Sequence, residues 1–164
     1  MLLLFMANFF PLYAQCPLKK KVPQQIKTIK TTDISALIEK GSGCITLVEL
    51  WASWCGTCKK TKPKIKSILK KNPSIAHLSI SADHHKSILK KYLLQKKSSL
   101  AGQYFLRTWT LASLKDAFIE KEAHFENAIP LILLYDPQGK LQYQATEPTD
   151  LHAIEERIEQ IQKP

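Results

Sequence analysis

Apolar residues along the chain switch repeatedly between two periods. From Ile45 to Ala52 they alternate, with Ile45, Leu47 and Trp51 on one side and Val48, Leu50 and Ala52 on the other. A strand apolar on both sides belongs in the middle of a sheet covered on both faces. Glu49 interrupts the pattern, on the Ile45 side. From about Cys55 to Lys70 the spacing becomes helical: Ile65, Ile68 and Leu69 form the stripe, Pro63 predicts a kink, and Asn72-Pro73 ends the element. Ile75 to Ile80 alternates again, with Ala76, Leu78 and Ile80 set against His77 and Ser79. Residues 83–127 read as an amphipathic helix through Ile88, Leu89, Tyr92 and Leu93, a turn at Ser98 to Gly102, and a second helix around Leu111 to Lys121. Leu131 to Tyr135 is an unbroken apolar strand that turns at Asp136-Pro137-Gln138-Gly139 into a returning strand, Leu141 to Ala145. A last helix, about Asp150 to Gln162, aligns Leu151, Ile154, Ile158 and Ile161. Upstream, Ile26 to Ile29 reads as a short edge strand, and Thr31-Thr32-Asp33 caps a helix through Glu39 that Gly41 and Gly43 close. This order predicts an α/β sandwich with a mixed sheet.

Length and composition narrow the architecture further. The chain has 164 residues, 45% of them hydrophobic and 23% charged, which suits one packed domain. Its first fifteen residues carry no charge, and Leu2 to Leu12 is apolar except at Asn8 and Pro11. That run is short for a membrane span, which needs about 20 residues. It suits the apolar part of a secretory signal cut after Ala14, although the usual basic start is missing. Cys16 directly after such a leader raises lipidation as a second reading, with Gln15 a poor residue for that cut, and an uncleaved anchor is a third. The expected division is residues 1–15 as signal peptide or membrane leader, 16–25 as a basic tether, and 26–164 as the folded domain. Net charge is +10, and Arg107 and Arg157 are the only arginines, so nearly all the basic residues are lysine. Planar recognition of phosphates and base edges favours arginine, so no nucleic-acid partner is expected. A solvated basic surface, able to lie against anionic lipid or acidic partners, is the expectation instead.

Cys55-Gly56-Thr57-Cys58 falls where the buried strand runs into the first turn of a helix. Cysteines three apart on a helix share a face, so their sulfurs can bond. Unpaired N–H groups at a helix N-terminus favour thiolate over thiol, which primes Cys55 to attack a disulfide and leaves Cys58 to resolve the mixed disulfide. A zinc site is the competing reading of such a pair, drawing on Cys16, Cys44, His84 or His85. Seven strand residues at ~3.3 Å each put Cys44 about 23 Å from the Trp51 end, too far to join Cys55 and Cys58. No metal or cofactor is therefore expected. Cys44 reads as a buried, inert thiol, and without lipidation Cys16 and Cys44 are each odd cysteines open to pairing between molecules. His84, His85 and His124 read as exposed helix-edge residues.

The run from Val48 through Trp51, Trp54, Cys55 and Cys58 to Lys59 resembles the active-site segment of thioredoxins and of the exported TlpA/ResA-type oxidoreductases, with Pro63 five residues after the second cysteine. Ala128-Ile129-Pro130 before an apolar strand resembles that family's cis-proline loop. The resemblance covers roughly Ile26 to Gln162 and implies a thioredoxin fold, a three-layer α/β/α sandwich with a helical insertion before the cis-proline loop. It implies that Glu49 is a buried acid that shuttles the Cys58 proton, its pKa raised by desolvation. Trp51 and Trp54 would shield the sulfurs, Gly56 and Thr57 would tune the pair, and Ile129 beside Pro130 would offer backbone to an extended substrate. Leu131 and Thr57 depart from the threonine and proline that thioredoxins carry there, so the resemblance carries the fold and not the redox poise. The implied activity is exchange with disulfide-containing or dithiol proteins of the bacterial periplasm, as a reductase supplied by a membrane electron donor. A disulfide-forming oxidase or isomerase is the alternative, and a non-catalytic binding or assembly factor is a third reading.

Overall fold

The computed structural model describes Cys16, Leu18 and residues 23–163. The leader at 1–15 and half of the tether lie outside the described residues. Its elements in chain order are β1 (Lys27–Ile29), α1 (Asp33–Glu39), β2 (Thr46–Trp51), α2 (Gly56–Lys71), β3 (Ala76–Ser81), α3 (Lys86–Gln95), β4 (Gln103–Leu106), α4 (Leu111–Ile119), β5 (Leu131–Tyr135), β6 (Leu141–Ala145) and α5 (Leu151–Gln162), the last entered through a 3₁₀ turn at Pro148–Asp150. Six strands form one sheet in the order β1-β4-β3-β2-β5-β6. β1, β4, β3 and β2 run parallel, and β5 and β6 are antiparallel to their neighbours. The sheet is mixed and the fold is that of thioredoxin.

β2 occupies the centre because it can be buried on both sides, and every one of its residues is buried. Val48 and Leu50 join Leu78, Ile80, Leu131 and Leu133 under Ile34, Leu37 and Ile38 of α1 and Leu114 and Phe118 of α4. Ile45 and Leu47 face the other way, against Ile65 and Ile68 of α2 and Ile154 and Ile158 of α5. Farther along that second face, Trp51 and both residues of the cysteine pair pack with Leu89 and Leu93 of α3. α2 runs unbroken through Pro63.

Two expectations need correction here. The insertion is not purely helical, because Gln103–Leu106 is a strand that slots between β1 and β3. Four residues, three of them buried, are too few to display a period. Cys16 and Cys44 are neither a lipid site and an inert thiol nor partners for other molecules: they form a disulfide with each other, across a sequence separation of 28. The bond holds Cys16 against the N-terminal end of β2, where Leu18 packs with both cysteines and Ala76.

Candidate active site

β2 ends at Trp51, and Cys55 becomes the N-cap of α2 with extended backbone. Its Sγ accepts a hydrogen bond from the Cys58 N–H at 3.0 Å, the place a capping oxygen usually takes. The first turn of α2 holds Lys59 and no acidic residue, so backbone dipoles and side-chain charge both favour an anion at Cys55. The pair is oxidised, with Cα atoms 5.2 Å apart. Cys58 is fully buried and Cys55 is 7% exposed, which makes Cys55 the sulfur a substrate can reach. The Ile129–Pro130 peptide bond is cis, and the Ile129 carbonyl oxygen stands 3.6 Å from Cys55 Sγ. Trp54 is half exposed beside the pair, and Gly56 and Thr57 are exposed, with open space where a Cβ on Gly56 would sit.

Glu49 is fully buried on the α2 side of β2. Its Oε2 accepts a hydrogen bond from Lys62 Nζ at 2.8 Å and lies 3.5 Å from His77 Nε2, while Oε1 has no hydrogen-bond partner. Desolvation pushes the carboxyl pKa up, but the Lys62 ammonium and the nearby His77 outweigh it and hold the carboxyl below its ordinary value. The expectation of a raised pKa is therefore overturned. Burial is as the alternation predicts, but burial comes with a cation. Lys62 is itself pushed below the usual lysine range by desolvation, against the pull of Glu49. Its Nζ sits 3.4 Å from the centre of the Trp51 ring and 3.3 Å from Ser79 Oγ, which also accepts from Trp51 Nε1 at 2.9 Å. Lys62 follows Cys58 by four residues on α2, so this network lies one helical turn beneath the second cysteine.

Sequence reasoning missed Lys62, His77 and Asp83. Asp83 is buried just after β3 and accepts from the Ser53 N–H at 3.1 Å, from Ser53 Oγ at 2.6 Å and from Ser81 Oγ at 2.7 Å. It ties the loop carrying Trp54 and Cys55 to the start of the insertion. A carboxyl following the alternating serines Ser79 and Ser81 was the available signal. His84, His85 and His124 are exposed. Among the described residues, no three or more histidine, cysteine or acidic side chains are grouped to hold a metal ion.

Fold and site together define a thioredoxin-fold protein with a cysteine pair at a helix N-terminus. The thioredoxin family profile matches residues 25–99. The rice (Oryza sativa subsp. japonica) protein disulfide isomerase-like 2-1 is 36% identical over 76 residues, which cover 41% of this chain and 21% of that protein. The chain thus spans about a fifth of the length of that relative. Among solved structures, a thiol:disulfide interchange protein of the thioredoxin family from Chlorobium tepidum TLS superposes with a TM-score of 0.57 at 17% identity, over 77% of this chain and 83% of that one. StoA from Bacillus subtilis superposes with a TM-score of 0.52 at 19% identity, over 71% and 84%. At these identities the structural likeness is one of fold. Over residues 25–99 the chain is similar to thioredoxin, and its fold is the thioredoxin fold.

Proposed function

We propose that this protein is an exported thiol–disulfide oxidoreductase that reduces disulfides in other periplasmic proteins and is itself recharged by a membrane electron donor. The observation that carries this reading is the oxidised Cys55–Cys58 pair, its first sulfur capping a helix and lying beside the Ile129 carbonyl. In the working direction the Cys55 thiolate attacks a substrate disulfide, forming a mixed disulfide and releasing one substrate thiolate. The Cys58 thiol then loses its proton, and its thiolate attacks Cys55 Sγ. This forms the Cys55–Cys58 bond and expels the second substrate thiolate, which takes up a proton. Two electrons pass from the dithiol to the substrate. Glu49, kept ionised beside Lys62, is suited to accept the Cys58 proton rather than to arrive already protonated. Ile129 and Pro130, with Trp54, Gly56 and Thr57, would line the path of an extended substrate.

Export is supported by the apolar uncharged leader and by a second disulfide remote from the site, since structural disulfides persist in oxidising compartments. Residues 26–164 then form the catalytic domain behind a leader and tether. Because Cys16 is engaged in a disulfide, membrane apposition would come from an uncleaved leader or the basic surface rather than from a lipid on that sulfur.

Reduction of insulin by dithiothreitol tests the activity: the wild-type chain accelerates it and Cys55→Ser does not. A wild-type chain without effect overturns the reading and leaves a binding or assembly role. Equilibration with a glutathione series then fixes direction. A pair that remains oxidised in mildly oxidising buffer is a poor oxidant, as a reductase requires, and one that is readily reduced there fits the oxidase alternative.

A further inference from the structure

Three rings stand side by side next to the cysteine pair. His84 is stacked between two tryptophans, with ring centres 6.3 Å from Trp54 at an interplanar angle of 12° and 6.4 Å from Trp109 at 14°. The rings come from three loops at one end of the sheet, those following β2, β3 and β4. Trp54 is 53% exposed, His84 is exposed and Trp109 is partly buried. Such large exposed rings are costly in water unless something covers them.

The arrangement is held from below. The Ser53–Asp83 hydrogen bonds fix the residues immediately before Trp54 and His84 against each other. Thr108, immediately before Trp109, has a φ of 52°, in the left-handed region that a β-branched residue rarely enters. Backbone strain of that kind persists only where the surroundings impose it, and it clusters at functional surfaces. Trp109 and Ile129 both pack against the hydrophobic cluster under α1 and α4, and the Ile129 carbonyl stands beside Cys55.

The loops and helix starts that carry the rings also carry exposed basic side chains. Lys59 and Lys60 on α2, Lys86 at the start of α3 and Arg107 before Trp109 are all exposed, and among the described residues none has an ion-pair partner. Asp83 is buried and taken up by its serines, and the exposed acids between α4 and β5 are Glu120, Glu122 and Glu126.

We propose that the Trp54–His84–Trp109 shelf and its basic rim select the substrate: a disulfide-bearing protein segment with acidic flanking residues and an aromatic side chain beside the cysteine. The aromatic side chain stacks on the shelf while the acidic flanks meet Lys59, Lys60, Lys86 and Arg107. This placement rests on the exchange reading above, because it presents the substrate disulfide to Cys55.

Two synthetic peptides test it, each closed by one disulfide and differing only in flanks: Asp and Glu with Phe in one, Lys with Ala in the other. With dithiothreitol regenerating the Cys55–Cys58 dithiol, the wild-type protein is expected to reduce the acidic, Phe-bearing peptide with a kcat/KM about tenfold higher, the difference residing in KM. In the His84→Ala, Trp109→Ala double variant the ratio, measured within the one protein, falls to about twofold or less. Reduction of both peptides by the wild type at equal kcat/KM overturns the shelf and leaves the exchange reading standing. If neither peptide is reduced, the exchange reading fails, and tryptophan emission of the oxidised protein decides the shelf. Emission that responds to the acidic, Phe-bearing peptide alone supports it, and emission indifferent to both overturns it.

Discussion

Glu49 shows how much, and how little, one side chain reveals before its neighbours are known. Its place in the alternation of β2 made burial legible, because a polar residue on a two-sided apolar strand has no solvent to reach. Its partner was illegible: Lys59, Lys60, Lys62, Lys64 and Lys66 look alike in sequence, and only the helical phase of α2 turns Lys62 onto the sheet. That single ammonium reverses the direction of the pKa shift. Glu49→Gln would leave the Lys62 charge without its counter-ion and should lower stability at pH 7 by about 3 kcal/mol. The sign follows from the lowered pKa. The stabilisation from the ionised carboxylate is complete above the unfolded value near 4.5 and disappears as pH falls through the lower folded value. Urea unfolding of both proteins at pH 7 and at pH 3 should therefore show a gap that narrows sharply on acidification. The same variant should slow turnover at neutral pH and alter its pH profile if Glu49 takes the Cys58 proton.

Among the elements, those with a clear period were read almost to their ends, and β4 was not. A strand of four residues placed between β1 and β3 shows no alternation, since Tyr104, Phe105 and Leu106 are all buried. What such sequence reading also lacks is the bracing between loops. Asp83 accepts hydrogen bonds across a sequence separation of 30, a distance that no local pattern encodes. Asp83→Ala should cost about 2–3 kcal/mol, because it leaves the buried Ser53 N–H unpaired. Asp83→Asn, which keeps one acceptor oxygen, should cost less. Thermal unfolding measures both, and the Ala variant should also lose protection from hydrogen exchange around Ser53 and Trp54 before it loses any in β2.

Over the whole molecule, the two disulfides divide the labour. The short Cys55–Cys58 loop was legible from its spacing, whereas Cys16 and Cys44, 28 residues apart, are brought together only by the fold. Closing a loop of that length restricts the unfolded chain, so replacing both cysteines with alanine should lower stability by about 3 kcal/mol. Denaturant titration measures that loss, and reactivity of the Cys55–Cys58 pair should survive it below the transition. The position of this clasp also gives the domain a direction. Cys16 is fastened at one end of β2, and Cys55 follows the other end, about 23 Å away by strand length. Anything attached ahead of Cys16, whether a bead, a dye or a bilayer, is thereby held at the back of the domain, with the reactive sulfur facing outward. A protein immobilised through that side should work on a surface as it does in solution, and one immobilised through Lys86 should not.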